Sequence, residues 1–145
     1  MLNPFPETPA GYEEYDLFPE DDEPVRLARG HGTWLHELRE VFELSWATGW
    51  GENANRVLCP FFDLPELPTV ALPHAPFEPR HKVPAIAAVV GERPAAWVDD
   101  MLTPEARDWA AARTAPTLLV DVDSATGLAR TDVDRLLGWA TTLKP

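Results

Sequence analysis

Cysteine is almost missing from this chain: Cys59 is the only one in 145 residues. No intrachain disulfide and no cysteine-based metal cluster can form. Cys59 lies in the apolar run Val57-Leu58-Cys59-Pro60-Phe61-Phe62, where a buried thiol is expected rather than a nucleophile. Basic residues are also scarce, with 12 Lys and Arg against 24 Asp and Glu and a net charge of −12. No basic cluster is present to track a nucleic-acid backbone, and the acidity suits no anionic membrane surface. A phosphorylated substrate stays compatible with it, because a bound divalent cation inverts the local field. No stretch approaches the ~18 apolar residues of a membrane span. No positive segment followed by an apolar one opens the chain, so a cytoplasmic protein without a membrane partner is expected.

Hydrophobic residues make up 45% and charged residues 25%, an ordinary globular balance that suits one domain with a modest core. Prolines number 16 and crowd into residues 4–24 and 60–94, marking loop-rich regions. Residues 1–30 read as an irregular flap, and the acidic run Glu20-Asp21-Asp22-Glu23 as a solvated loop within it. From residue 31 to 142 an α/β core is expected. Gly32-Thr33 caps a helix with Trp34, Leu35, Leu38 and Val41 on one face. Strands follow at Phe42–Thr48 and Leu67–Leu72, with a helix over Glu52–Phe61 between them. His81–Val90 reads as helical, with Pro84 tolerated in the first turn. Ala95–Asp100 is a short apolar run ending in two acids. Thr103-Pro104-Glu105 opens another helix, Pro116–Val122 is a strand suited to burial on both faces, and Thr131 caps a last helix. Such alternation implies a mainly parallel sheet covered by helices, with ligands outside the carboxyl ends of the strands.

The residues at those ends carry the chemistry, and each has a plain reading beside a functional one. Thr48, with Gly49 behind it, either closes a strand as a turn residue or donates to a phosphate oxygen. Asp99 and Asp100 repel each other unless a cation or hydrogen-bond donors compensate. Their oxygens suit Mg²⁺, although one of them can equally cap the next helix. Lys82 opposes the dipole of the helix it begins; it is either solvated or aimed into a site where it neutralises anionic oxygens.

In their order, three segments resemble motifs II, III and IV of the haloacid dehalogenase superfamily: Leu44-Ser45-Trp46-Ala47-Thr48-Gly49-Trp50, His81-Lys82-Val83-Pro84-Ala85-Ile86 and Ala96-Trp97-Val98-Asp99-Asp100. The resemblance spans residues 1 to about 142. It implies a Rossmann-like three-layer sandwich and Mg²⁺-assisted phosphoryl transfer through an aspartyl-phosphate. Thr48 and Gly49 would bind phosphate, Lys82 would balance its charge, and Asp99 with Asp100 would hold the metal. The substrate would be a small phosphorylated molecule, or the phosphorylated end of a larger one, because no large cap insertion is present.

The family's first motif, a strand ending Asp-x-Asp-Gly that carries the nucleophile, has no counterpart before residue 30. Met1-Leu2-Asn3-Pro4 resembles the residues that follow that motif, with Met1 in place of a Val. The expectation is therefore a start site set too late, a central strand missing from the sheet, and no catalysis by the 145 residues as written. Losing a central strand would cost more than the ~5–15 kcal/mol of a typical domain. Asp121-Val122-Asp123-Ser124 is a look-alike of that motif in which Ser124 replaces Gly. It is read as a strand and turn, with a circular permutation using Asp121 as the other reading. A non-catalytic binding or regulatory domain is the alternative function, and a generic α/β interaction module a third.

Overall fold

The computed structural model describes residues 1–18, 20–74 and 76–143. The chain is mixed α/β, with five α-helical segments and a small parallel sheet of two strands. Residues 1–30, expected to be irregular, instead contribute two short strands, β1 (Glu13–Tyr15) and β2 (Val25–Leu27), paired antiparallel. All three β2 residues are buried, and Leu27 is only 1% exposed. The segment fails to read as a strand because Pro and acidic residues interrupt every period around it. Burial of Leu2, Pro4, Val25 and Leu27 nevertheless ties it to the core.

Helix α1 spans Gly30–Arg39 and begins before the expected Thr33 cap, with Arg29 at the N-cap position making no side-chain cap. Its Leu35 and Leu38 are buried as the periodicity requires, whereas Val41 lies past its end and is 53% exposed. Gly32 lets the helix approach Phe62: a Cβ there would stand 3.2 Å from the Phe62 carbonyl oxygen. Of the two strands expected at 42–48 and 67–72, only an isolated parallel bridge between Trp46 and Thr69 forms. The helix expected over Glu52–Phe61 divides into a π-helical turn, Ala54–Leu58, and a short helix α2, Cys59–Phe61. There the Cys59 N–H reaches back to the Ala54 oxygen, and Pro60 has no N–H with which to continue an α pattern. Cys59 is buried as expected, its thiol donating to Asn55 Oδ1 at 3.3 Å.

The second half follows the sequence closely. A 3₁₀ turn at Pro79–His81 leads into α3 (Lys82–Val90), followed by β3 (Ala95–Asp99), α4 (Pro104–Ala112), β4 (Thr117–Asp121) and α5 (Arg130–Thr141). Thr103 caps α4 as predicted, its Oγ1 accepting from the Ala106 N–H at 3.2 Å. Thr131 does not cap α5, which begins one residue earlier; Asp132 instead accepts from the Ala129 N–H at 2.9 Å. Strands β3 and β4 pair in parallel from Ala95↔Thr117 to Asp99↔Asp121.

Two apolar clusters form the core. The larger joins Leu27, Leu35, Trp46, Val120, Val133 and Leu136 with others, and Ala96 and Val98 of β3 pack against it. The smaller comprises Val70, Ile86, Trp97 and Ala106. Successive residues of β3 thus enter different clusters, as the period of a strand dictates. Among the described residues no helix is long and apolar enough to cross a membrane.

Candidate functional site

Asp99 ends β3, and the turn after it folds back over the carboxylate. The Met101 N–H donates to Oδ1 at 3.0 Å, and the Trp97 indole N–H donates to Oδ2 at 3.2 Å. Lys82, the first residue of α3, donates from Nζ to the same Oδ2 at 2.7 Å. Both side chains are withdrawn from water, with 15% of Lys82 and 8% of Asp99 exposed. Burial pushes the Asp99 carboxyl up, but the Lys82 charge and the hydrogen bonds from Lys82, Met101 and Trp97 outweigh it and hold the group below the usual carboxylate range. Lys82 sits against the positive end of the α3 dipole, and Asp99 compensates that position. Lys82 is thus turned inward onto Asp99 and largely withdrawn from solvent.

Asp100 is half-buried, and its Oδ2 lies 3.3 Å from the amino group of Met1. Thr48 accepts from the Trp50 N–H at 3.2 Å, as a turn-closing hydroxyl does. Gly49 is exposed at the same turn, next to the Phe77 ring. Among the described residues no hydrogen bond joins Thr48 or Gly49 to Lys82, Asp99 or Asp100, so the direct contact is between Lys82 and Asp99 alone. Nor do three or more His, Cys, Asp or Glu side chains gather there as a metal cluster. The donors available to a divalent cation are carboxylate oxygens, the type Mg²⁺ prefers, and it commonly needs one or two of them with water completing the shell. Asp100 is the better placed, because the oxygens of Asp99 already accept three hydrogen bonds.

The look-alike motif lies elsewhere. Asp121 ends β4 in solvent and takes both its oxygens to Arg107 Nη2 at 2.9 Å, while Asp123 accepts from the Ala125 N–H at 2.8 Å to close a turn. The acidic residues Asp21, Asp22 and Glu23 are exposed. With Asn3, Phe18 and Trp50 they help wall an open concavity of about 330 Å³. Trp46 and Trp97 are core residues, at 8% and 6% exposure.

Sequence reasoning missed His31. It is 3% exposed beneath Tyr12 and Trp34, in the wall of a second concavity of about 290 Å³. Its Nε2 lies 2.9 Å from the Leu128 carbonyl oxygen, which makes Nε2 the protonated nitrogen, and Nδ1 is buried without a partner. Burial pushes its pKa down, with the Leu128 hydrogen bond opposing. Nothing in the flanking Arg29-Gly30-His31-Gly32 signals this, because the contacts come from residues far along the chain.

No family model, curated protein or solved structure matches this chain. Lys82 and Asp99 form a saturated, preorganised ion pair at the carboxyl end of a parallel strand. It can fix charge beside a bound anion, but its carboxylate is too fully engaged to attack one.

Proposed function

We propose that the chain is a haloacid-dehalogenase-like domain of Rossmann-like three-layer design that carries the phosphate and metal side of a phosphohydrolase site without its nucleophile. The observation that carries this reading is the 2.7 Å contact between Lys82 and Asp99 at the carboxyl end of β3, the end at which parallel α/β sheets hold ligands. The core supports the layered reading, since β3 separates one apolar cluster containing α1 and α5 residues from another containing α3 and α4 residues.

In this reading the Thr48 hydroxyl and the Gly49 N–H bind phosphate oxygens, and Lys82 balances their charge while staying anchored to Asp99. Asp100 would hold Mg²⁺ directly and Asp99 through water; the ion would supply neutralisation of phosphate charge. The sequence contains no Asp-x-Asp-Gly, and Asp121 is engaged by Arg107 on the surface. The 145 residues alone therefore bind rather than cleave. The ligand is a small phosphorylated molecule, or the phosphorylated end of a larger one, reached across short loops. The saturation of Asp99 also favours the second reading, a purely non-catalytic binding or regulatory domain.

Three measurements test this. Titration with Mn²⁺, read by water-proton relaxation, is expected to show a site that Asp100→Asn removes. Phosphate is expected to broaden by ³¹P NMR in the presence of Mn²⁺, and Thr48→Val to weaken that effect. Hydrolysis of p-nitrophenyl phosphate with Mg²⁺ is expected to stay at the buffer rate. A chain that binds neither ion, or one that turns over substrate with a dependence on Asp121, refutes the assignment.

A further inference from the structure

The turn at residues 9–12 lies over a buried histidine and is held there by one side chain. No residue from 5 to 11 is buried. Thr8, before the turn, accepts from Arg26 Nε at 3.0 Å, and β1, after it, pairs with β2. Between these anchors the hydrogen bonds to the rest of the chain, among the described residues, are those of the Tyr12 hydroxyl. It donates to the Thr126 carbonyl oxygen at 3.0 Å and lies 3.3 Å from His31 Nε2. Gly127 forms its socket, since a Cβ there would run into the Tyr12 hydroxyl. Gly11, at φ +88° with nothing near the place of a Cβ, lets the chain bend beside it. Ala10, Gly11 and Tyr12 thereby close one side of the second concavity, which His31 and Trp34 also line.

His31 fits this place as a neutral ring. Its Nε2–H donates to the Leu128 carbonyl oxygen, and a proton added at Nδ1 finds no acceptor. The elements around it offer no anion. Trp34 comes from α1 and Phe62 from the segment after α2, and residues 126–128 carry no ionisable side chain. The titratable groups facing the ring are the Tyr12 phenol and the Met1 amino group. A charge buried among such neighbours is costly until water reaches it. Trp34 and Phe62 are packed into the main core, whereas the turn above the ring is surface chain. We propose that the turn at residues 9–12 is a proton-controlled lid: uptake of a proton by His31 frees Tyr12 from its socket and bares His31 and Trp34, while the rest of the fold stays in place. This inference does not rest on the phosphohydrolase reading. The open form binds the proton as an ordinary imidazole does, and the closed form binds it less well because burial pushes the His31 pKa down. The lid is therefore shut above the ordinary value of 6.5. Below it the opening constant rises by up to about tenfold per pH unit, one proton being taken up.

The experiment labels the full chain with 3-fluorotyrosine and follows its 2 tyrosines by ¹⁹F NMR from about pH 7 to about pH 5. Tyr15→Phe assigns the signals, and ¹H–¹³C NMR follows the His31 ring. The Tyr12 signal is expected to move toward that of free tyrosine on a one-proton curve, while the Tyr15 signal and the far-UV circular dichroism hold still. His31→Gln keeps a donor for Leu128 and takes up no proton, so in that variant Tyr12 should stop responding. Tyr12→Phe removes both hydroxyl ties. By the reciprocity of linkage His31 should then titrate closer to 6.5 than in the unaltered chain. A tyrosine with a purely structural role would not produce that shift, and the test stands even if His31→Gln does not fold. A Tyr12 signal that ignores pH overturns the proposal, as does the same response in His31→Gln. So does an unchanged His31 titration in Tyr12→Phe. Tyr15 and the circular dichroism changing in step with Tyr12 would also overturn it, since the event would then be global unfolding.

Discussion

Replacing Lys82 by Met is the sharpest perturbation available, because it strands a buried carboxylate while keeping the length of the side chain. Breaking a buried ion pair by removing one partner costs about 3–5 kcal/mol. Trp97 and Met101 still donate to Asp99, and 15% of Lys82 is already exposed, so the lower end, about 3 kcal/mol, is expected. For a chain of this size that corresponds to a fall in Tm of roughly 9 °C. Asp99→Asn should cost less, about 1–2 kcal/mol, because the freed lysine can carry its charge to water on a flexible stem. The dependence on pH has a definite sign. The folded Asp99 carboxyl lies below its ordinary value of 3.8, so the stability it contributes is fully present above that value and is lost as pH falls through the folded pKa. In Lys82→Met the opposing burial effect prevails and the carboxyl titrates higher. The gap between wild type and variant should therefore be widest near neutrality and close as pH falls below about 4. Urea denaturation at a series of pH values measures it. A loss below about 1 kcal/mol that stays constant with pH would show that the pair is solvated and refute the reasoning.

Three other outcomes follow from the same structure. Leu27→Ala should cost about 2–5 kcal/mol in urea unfolding, because β2 is built into the main core; an effect within error would make the N-terminal segment a loose flap after all. His31 should titrate below the ordinary imidazole value of 6.5, read by its ring protons. Since the unfolded chain takes up that proton first, stability should decline as pH falls below about 6.5, and His31→Gln should flatten this decline. Arg107→Ala should change stability by less than about 1 kcal/mol, since its partner Asp121 is solvent-exposed; a large loss would mean that the surface pair at the look-alike motif has a structural role.

Legibility in the sequence tracked how local the deciding interactions were. The helix at 104–112 was readable because Thr103, Pro104 and Glu105 act within one turn, and β4 was readable because Leu118-Leu119-Val120 is a continuous apolar run. Thr131 misled, because a competing acid one residue on, Asp132, satisfied the Ala129 N–H instead. The strands expected around Trp46 and Val70 shrank to a single bridge because pairing requires a neighbour, and apolar pattern alone does not supply one. At the candidate site Lys82 and Asp99 could each be named from position, at a helix start and a strand end. Their contact, across 17 residues, could not. Nor could the contact between Met1 and Asp100, 99 residues apart.

By itself the sequence determined what short-range physics settles: the absence of intrachain disulfides, the acidic character, the order of helices and strands from residue 82 onward, and Asp99 as the acid that ends β3. Only the tertiary structure decided which residues meet and that the proline-rich beginning is buried through Leu2, Val25 and Leu27. These outcomes depend on surfaces brought together from distant parts of the chain, and burial there changes the free energy of a charge or an unpaired amide by more than any local preference does.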